Sequence, residues 1–372
     1  MIKGKINNPT RGKTHILIAP LDWGLGHATR CIPIIKELIE LKCEVILAAD
    51  GATYSLLKKE FSSITIIPLA GYRMHYSRKK VWLPLHLFIQ IPKFIRATIA
   101  EHRWLKKIIR DHQPDIIISD NRLGLYNSSI FSIYITHQLV IKTGHYLLDK
   151  LASKIHHHFI KKYDLCWVPD FEKNRLAGEL SHPHKMLSNT VYIGPLSRFE
   201  KLPAVEKKYD IVISISGPEP QRTIFETLIF NQLKCDTQKT LIIRGLPGQV
   251  EKIIAPNDFA EVVNHLSARE LNSAMQQAGI IICRSGYTTI MDLVKIGKNA
   301  ILIPTPGQTE QEYLAKYLME KKLFFSTEQK GLSIEKALYA ASAFPFIKPQ
   351  SDMEGFKKNL YDLVQSYKSA RS

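Results

Sequence analysis

Two series of short apolar runs, each run leading through a loop into a helical pattern, fill this chain of 372 residues, with one interruption at 192–208, YIGPLSRFEKLPAVEKK. Such alternation reads as βαβ units, whose parallel strands are covered by helices on both faces. The pattern therefore calls for an α/β protein rather than a helix bundle or a β-sandwich. Apolar runs at 15–20, 45–49, 65–68, 115–119, 132–136 and 164–168 make the first series; those at 209–214, 240–244, 261–264, 280–283 and 300–304 make the second. The interruption holds Pro195 and Pro203, mixed charges and no apolar period, and marks a domain boundary. The expected layout is a first domain at 1–196, a linker at 197–208, a second domain at 209–350 and a last segment at 351–372. Two doubly wound, Rossmann-like domains facing each other are the expected architecture.

Hydrophobic residues at 45% and charged residues at 23% exclude a disordered or fibrous chain. The 51 Lys and Arg against 34 Asp and Glu give +17, which asks for an anionic substrate, surface or polymer. Residues 1–200 hold +13 of that excess, and the stretch from Tyr72 to Arg110 holds ten Lys/Arg against Glu101 alone. Five cysteines without CxxC spacing argue against a disulfide framework or a zinc ribbon and fit a reducing compartment. The apolar stretch 16–21 is too short for the core of an export signal, so export is not expected. The longest apolar stretch, 81–91, is broken by Pro84, His86 and Gln90 and falls short of the ~20 residues of a spanning helix.

Ligands of open α/β sheets bind beyond the carboxyl ends of the strands, so the loops after the strands are where chemistry is sought. The first, DWGLGH at 22–27, sets Gly24, Gly26 and His27 between a strand and a helix. Its backbone N–H groups could meet a phosphate and His27 could act as a general base; a plain tight turn is the other reading. Neither GxGxxG nor a P-loop is present. The second, SGPEPQRT at 216–223, offers Gly217 and Arg222, with Arg222 either solvated or facing an anion. The third, CRSGYTT at 283–289, offers Arg284, Ser285, Gly286 and Thr288 to a diphosphate, and Asp292 inside the next helix to a vicinal diol. The fourth, TPGQTEQE at 305–312, brings Glu310 and Gln311 within reach of sugar hydroxyls, or serves only as a helix cap. On the acceptor side Asp120, Asn121 and His137 follow strand ends, Asp120 as a carboxylate that could orient His27. His156, His157 and His158 are consecutive and on a helix point three ways, so they cannot chelate one metal.

At CRSGYTTIMDLVKIGKNAILIPTPGQTEQEYLAKYL (283–318) and DWGLGHATR (22–30) the chain resembles the glycosyltransferases of the two-domain GT-B fold, and among them family 28, the group of the peptidoglycan N-acetylglucosaminyltransferase. The resemblance spans roughly 14–345 and is strongest in the last third. It implies two domains across a cleft, with the segment 351–372 returning to the first. It also implies a UDP-sugar substrate, no cofactor and no metal. By the same resemblance Asp292 would bind the ribose, Ser285 and Gly286 the phosphates, Glu310 with Gln311 the sugar, and Gly26 would face the phosphates while His27 takes the acceptor's proton. Displacement would invert the anomeric centre, with Arg222 and helix termini steadying the UDP leaving group. Two departures, the prolines of SGPEPQRT and the acceptor-side SDNRLGLYN, point to an acceptor other than the peptidoglycan intermediate.

The basic stretch interleaves Trp82, Phe88, Phe94, Ile95 and Trp104 with its cations, which reads as a helix pair lying on an anionic membrane face, or as a packed helix with a solvated basic side. The family's lipid-linked acceptors tilt this toward the membrane. The expected activity is transfer of N-acetylglucosamine from a UDP-sugar to a lipid-linked or cell-envelope glycan acceptor, by a cytoplasmic protein peripheral on the inner face of the cytoplasmic membrane. A UDP-sugar hydrolase or epimerase is the rival within the fold, since Gly24 to Arg30 also reads G-x-GH-x-x-R. A basic nucleic-acid- or membrane-binding protein without catalysis is the rival from another class, though no nucleic-acid motif is present.

Overall fold

The computed structural model describes residues 5, 12–72, 83–203, 205–233, 237–251, 253–349 and 353–371, with 83–92 and 371 described by backbone alone. The first series folds as β1 (His15–Pro20), α1 (Leu25–Glu40), β2 (Glu44–Ala49), α2 (Gly51–Glu60), β3 (Thr65–Pro68), α3 (Leu83–His112), β4 (Ile116–Asp120), β5 (Phe131–Ile135), α4 (Tyr146–Ile160), β6 (Leu165–Val168) and β7 (Thr190–Tyr192). The seven strands are all parallel in the order β3-β2-β1-β4-β5-β6-β7. Isoleucine and leucine runs form the central strands because their branched side chains fill both faces: Leu17, Ala19 and Ile117 pack on Leu105 and Ile108 of α3. The order reverses between β1 and β4, where Pro20 lies opposite Asp120. That reversal is where a doubly wound sheet opens a crevice.

The second series folds as β8 (Tyr209–Ser214), α5 (Gln221–Gln232), β9 (Thr240–Ile243), β10 (Ala260–Val263), α6 (Ala268–Gln276), β11 (Ala278–Cys283), α7 (Tyr287–Ile296), β12 (Ala300–Leu302), α8 (Thr309–Glu320), β13 (Phe325–Ser326) and α9 (Ile334–Ser342). Its parallel order β10-β9-β8-β11-β12-β13 repeats the doubly wound plan, with the reversal between β8 and β11. α6 starts on the expected capping box of Ser267 and Glu270, and α7 stops at Gly297, whose φ of 67° is left-handed.

The last helix, α10 (Gly355–Arg371), lies in the first unit against α1, with Leu360, Val364 and Tyr367 wholly buried and the Tyr367 hydroxyl donating to Asp115 at 3.2 Å. Each such side chain contributes about 1.5–3 kcal/mol of burial, which holds a helix that follows the second unit in sequence onto the first. The described residues up to 196 and from 353 onward make one compact unit, and those from 197 to 349 the other.

Three expectations are corrected. The linker is not free chain: Ser197 Oγ donates to Asp292 at 2.6 Å, and the amides of Asn272 and Gln276 donate to the Glu200 carbonyl at 2.9 Å, so it belongs to the second unit. Among its described residues the basic stretch holds one helix of 30 residues, α3, where a pair was expected, and its positions 73–82, with Arg73, Arg78, Lys79, Lys80 and Trp82, lie outside the described residues. Gly26 and His27 are not in a loop but in the first turn of α1, which opens at Leu25 after Gly24. Gly24 has φ 82°, a conformation that a side-chain-bearing residue adopts at a cost, so glycine is what lets the chain turn there.

Candidate active site

At the reversal of the first sheet, two residues one helical turn apart on α1 meet the last residue of β4. His27 Nδ1 lies 2.9 Å from Asp120 Oδ1. Arg30 Nε donates to Asp120 Oδ2 at 2.5 Å, and Arg30 Nη2 donates to Asp120 Oδ1. The spacing of three puts both side chains on one face of α1, and the parallel register of β1 with β4 brings that face to Asp120. Arg30 also reaches His137 Nδ1, at 3.1 Å, in the loop after β5. Asp120 is wholly buried, while the His27 side chain keeps 15% exposure.

Burial alone would raise the Asp120 pKa, but the charges of Arg30 and His27 overturn it and hold the carboxyl well below the usual range. Burial, then Arg30, lowers the His27 pKa against the opposing pull of Asp120, so the ring is neutral near pH 7. A neutral imidazole with one nitrogen on a carboxylate and its other nitrogen left for a substrate is the arrangement of a general base.

Asn121 sits at φ 59° beside Asp120, and its Oδ1 accepts from the Tyr134 hydroxyl at 2.9 Å. That hydroxyl lies 2.9 Å from His156 Nε2 on α4, and burial pushes the His156 pKa down to about 4. The hydroxyl hydrogen is spent on Asn121, so the neutral His156 donates to Tyr134. Behind the loop Arg122, wholly buried, donates to Glu101 of α3 at 2.9 Å and to the Pro20 carbonyl at 3.0 Å. His157 turns to the Leu139 carbonyl at 2.7 Å, and His158 lies against Phe159. Among the described residues no group of three or more His, Cys, Asp or Glu could hold a metal ion.

In the second unit the loops after β8, β11 and β12 converge. Arg284 is 1% exposed and lies over the Phe225 ring, 4.0 Å from its centroid. Its guanidinium donates to the carbonyls of Gln221, Ile303 and Pro304 at 3.2–3.3 Å. It is thus a brace under the loops rather than an open anion contact, and burial lowers its pKa to about 10. Ser285 Oγ donates to the Gln311 carbonyl at 2.8 Å, and the Gln311 side chain accepts from Thr305 N at 2.9 Å. Gly286 caps α7 without a side-chain partner, and Thr288 and Glu310 are half-buried in the first turns of α7 and α8. Gly217 is exposed at φ 114° beside Thr305.

Two second-unit expectations change in detail. Arg222 is buried and donates to Glu219 at 2.6 Å and Glu226 at 3.1 Å, so its charge is matched within the protein and it is not set to steady a leaving group. Asp292 is 6% exposed and accepts from Ser197, with burial raising its pKa to about 6. The sequence reading missed Arg30 as a partner of Asp120, and Tyr134 with His156 behind Asn121. For Arg30 the signal was there, three residues after His27 on the same helical face.

Residues 237–365 match the model of the glycosyltransferase family 28 C-terminal domain. An uncharacterized glycosyltransferase of Methanosarcina mazei is 24% identical over 335 residues, covering 82% of this chain and 83% of that protein. The UDP-N-acetylglucosamine–N-acetylmuramyl-(pentapeptide) pyrophosphoryl-undecaprenol N-acetylglucosamine transferase of Clostridium tetani is 23% identical over 361 residues, covering 92% and 95%. Among solved structures, the calicheamicin glycosyltransferase CalG4 superposes with a TM-score of 0.62 at 13% identity, covering 97% and 96%. MurG of Acinetobacter baumannii superposes with a TM-score of 0.57 at 16% identity, covering 95% and 99%. Fold and matches together define a glycosyltransferase of the GT-B fold. Within that class the chain is similar to family 28, through both its second unit and its MurG-like relatives.

Proposed function

We propose that this glycosyltransferase moves a sugar, N-acetylglucosamine, from a UDP-sugar to the hydroxyl of a lipid-linked or cell-envelope glycan acceptor, with inversion and without a metal. The observation that carries the reading is the His27–Asp120 pair at the reversal of the first sheet. His27 Nε2 takes the acceptor's proton, the acceptor oxygen bonds to the anomeric carbon from the side opposite UDP, and the carbon–oxygen bond to the β-phosphate breaks. Charge gathers on the departing diphosphate, and the N-terminus of α7, reached through Ser285 and its N-cap Gly286, is where it is met. Asp292 takes the ribose hydroxyls, Glu310 and Gln311 the sugar, Gly26 the phosphates, and Asn121 and His137 the acceptor; the buried carbonyl bonds of Arg284 fit a bracing role.

The test is a transfer assay with UDP-N-acetylglucosamine, read by UDP release and by product. Acceptor-dependent UDP release with an inverted linkage supports the reading. Free sugar released at turnover rate without acceptor assigns the same base to water and makes the protein a hydrolase. Asp292→Ala is expected to weaken UDP binding by roughly tenfold or more, as loss of a charge-assisted hydrogen bond pair would. An unchanged Kd in calorimetry removes the ribose assignment.

The acceptor's lipid would be met at an anionic membrane on the cytoplasmic side. Exposed Ile95 and Ile99 on α3 alternate with Lys93, Arg96 and Arg103, and exposed Leu147, Leu151 and Ile155 on α4 run beside Lys150 and Lys154. Apolar residues one turn apart with cations alongside fit a headgroup boundary. No described helix is long and apolar enough to cross a membrane. Sedimentation with phosphatidylglycerol vesicles should pull the protein down, less so at high salt, and Leu147→Glu with Leu151→Glu should weaken this severalfold. Equal recovery with neutral phosphatidylcholine vesicles would count against an anionic surface.

A further inference from the structure

We propose that Arg30 is the positioning residue of this site: its guanidinium, shared among Asp120, His27 and His137, sets opposite hydrogen placements in the two histidines, leaving His27 Nε2 bare to take a proton and His137 Nε2 carrying one to give. The inference rests on the reading of His27 as the acceptor's base.

The argument begins at Asp120, which is wholly buried and accepts from Arg30 through both oxygens. A carboxylate gripped on both oxygens by a cation is ionised and can only accept. His27 Nδ1, 2.9 Å from Asp120 Oδ1, must therefore carry the hydrogen, for a bare Nδ1 there would set two lone pairs against each other. Arg30 Nη2 lies 3.0 Å from the same Nδ1 and would compete as a donor, but its contact with Asp120 Oδ1 satisfies it. The two donors converge on one oxygen, and the ring's second nitrogen, Nε2, keeps its lone pair.

His137 meets the other side of the guanidinium. Arg30 Nη1 lies 3.1 Å from His137 Nδ1, and a guanidinium can only donate. His137 Nδ1 is thus bare, its hydrogen is on Nε2, and the ring is a donor toward any oxygen it meets. Three groups bear on the titration of His27, Arg30 from α1, Asp120 from β4 and His137 from the loop after β5, while Cys31 of α1 meets Asp120 Oδ2 at 3.5 Å. Cys31 stays a neutral thiol, since burial raises its pKa well above the usual value. Of these groups, Arg30 alone touches both histidines and the carboxylate. Without it the carboxylate would face His27 with no counter-cation, and the ring would hold its second proton more tightly.

The experiment is long-range proton–nitrogen NMR on the full chain with nitrogen-15 histidine, which reads hydrogen placement on each ring nitrogen without any substrate. His27→Gln and His137→Gln assign the two signals. The expected result is a hydrogen on Nδ1 of His27 and on Nε2 of His137. In Arg30→Met the His27 titration midpoint should rise by about one unit or more, as loss of an adjacent cation does, and His137 should lose its single placement. Arg30→Lys should retain part of the effect. The reverse placement in the unsubstituted protein, or a His27 midpoint that Arg30→Met and Arg30→Lys both leave unmoved, overturns the inference. Because the hydrogen placements are read in the unsubstituted protein, with the two histidine variants serving only to assign them, a misfolded Arg30→Met leaves the test standing. If the spectra agree while His27→Ala turns over normally, the base reading fails and the role of Arg30 in hydrogen placement survives.

Discussion

His27→Ala is expected to lower kcat by roughly 10²–10⁴ while leaving the melting temperature and the UDP Kd close to those of the parent. The size follows from what the ring does in the proposed step. A sugar or lipid hydroxyl is a weak nucleophile until its proton has somewhere to go, and His27 Nε2 is the atom left to receive it once Nδ1 is engaged by Asp120. The fold should tolerate the change because the side chain is partly open and lies in the first turn of α1, ahead of the buried stretch from Ala28 to Ile35. Of the residues proposed for the donor only Gly26 lies in the first unit, and the substitution leaves its backbone in place, so nucleotide affinity should hold. Steady-state transfer kinetics beside a UDP titration separate these claims. Near-normal kcat would reduce His27 to a residue that only shapes the site.

Asp120→Asn should cost more, because it harms both chemistry and stability. The carboxylate is the counter-charge of Arg30, which is 2% exposed, and breaking a buried pair from one side typically costs about 3–5 kcal/mol. At ~2–4 °C per kcal/mol for a unit of this size, the first unit should melt on the order of 10 °C lower. The amide also presents N–H groups where oxygens stood. One of them facing His27 would place the ring hydrogen on Nε2 and remove the base, so kcat should fall by about as much as in His27→Ala. The pH dependence has a fixed sign. The folded Asp120 pKa is depressed, so its stabilisation is present above the unfolded value near ~3.9 and is lost as pH falls through the folded one. Asp120→Asn should therefore flatten the acid side of the stability curve. A variant that melts with the parent at pH 7 would mean that the ion pair adds nothing net.

The two results belong together. Equal kcat losses in His27→Ala and Asp120→Asn, with no further loss in the double variant, would show the residues acting as one unit. Additive losses would assign Asp120 a separate contact with the acceptor.

What could be read from the sequence was whatever depends on neighbours in the chain. Unbroken runs such as ILIAP and DIIIS make buried parallel strands wherever they fall, because only a sheet covered on both faces accommodates them. Gly24 and Gly297 mark a helix start and a helix end by conformation alone. Strand ends and the loops after them could be named as the places to look, which makes His27, Asp120 and His137 candidates from sequence. The pairing of Arg222 with Glu226, four residues on along α5, was also legible, with Glu219 reaching it from the loop just before the helix.

Only the tertiary structure decided what those residues do to one another. His27 and Asp120 are 93 positions apart, and their contact exists because β1 and β4 pair in parallel with Pro20 opposite Asp120. A shift of that register by one residue would turn Asp120 to the other face of the sheet. Arg30 between two histidines, Arg284 under three loops, Ser197 on Asp292 and α10 returned to the first unit are likewise products of packing. Periodicity reports which face of an element is buried, not which element covers it. Charge and hydrogen placement in this site are set by those covering neighbours, so the sequence determined the scaffold and the candidate groups, and the fold determined their states.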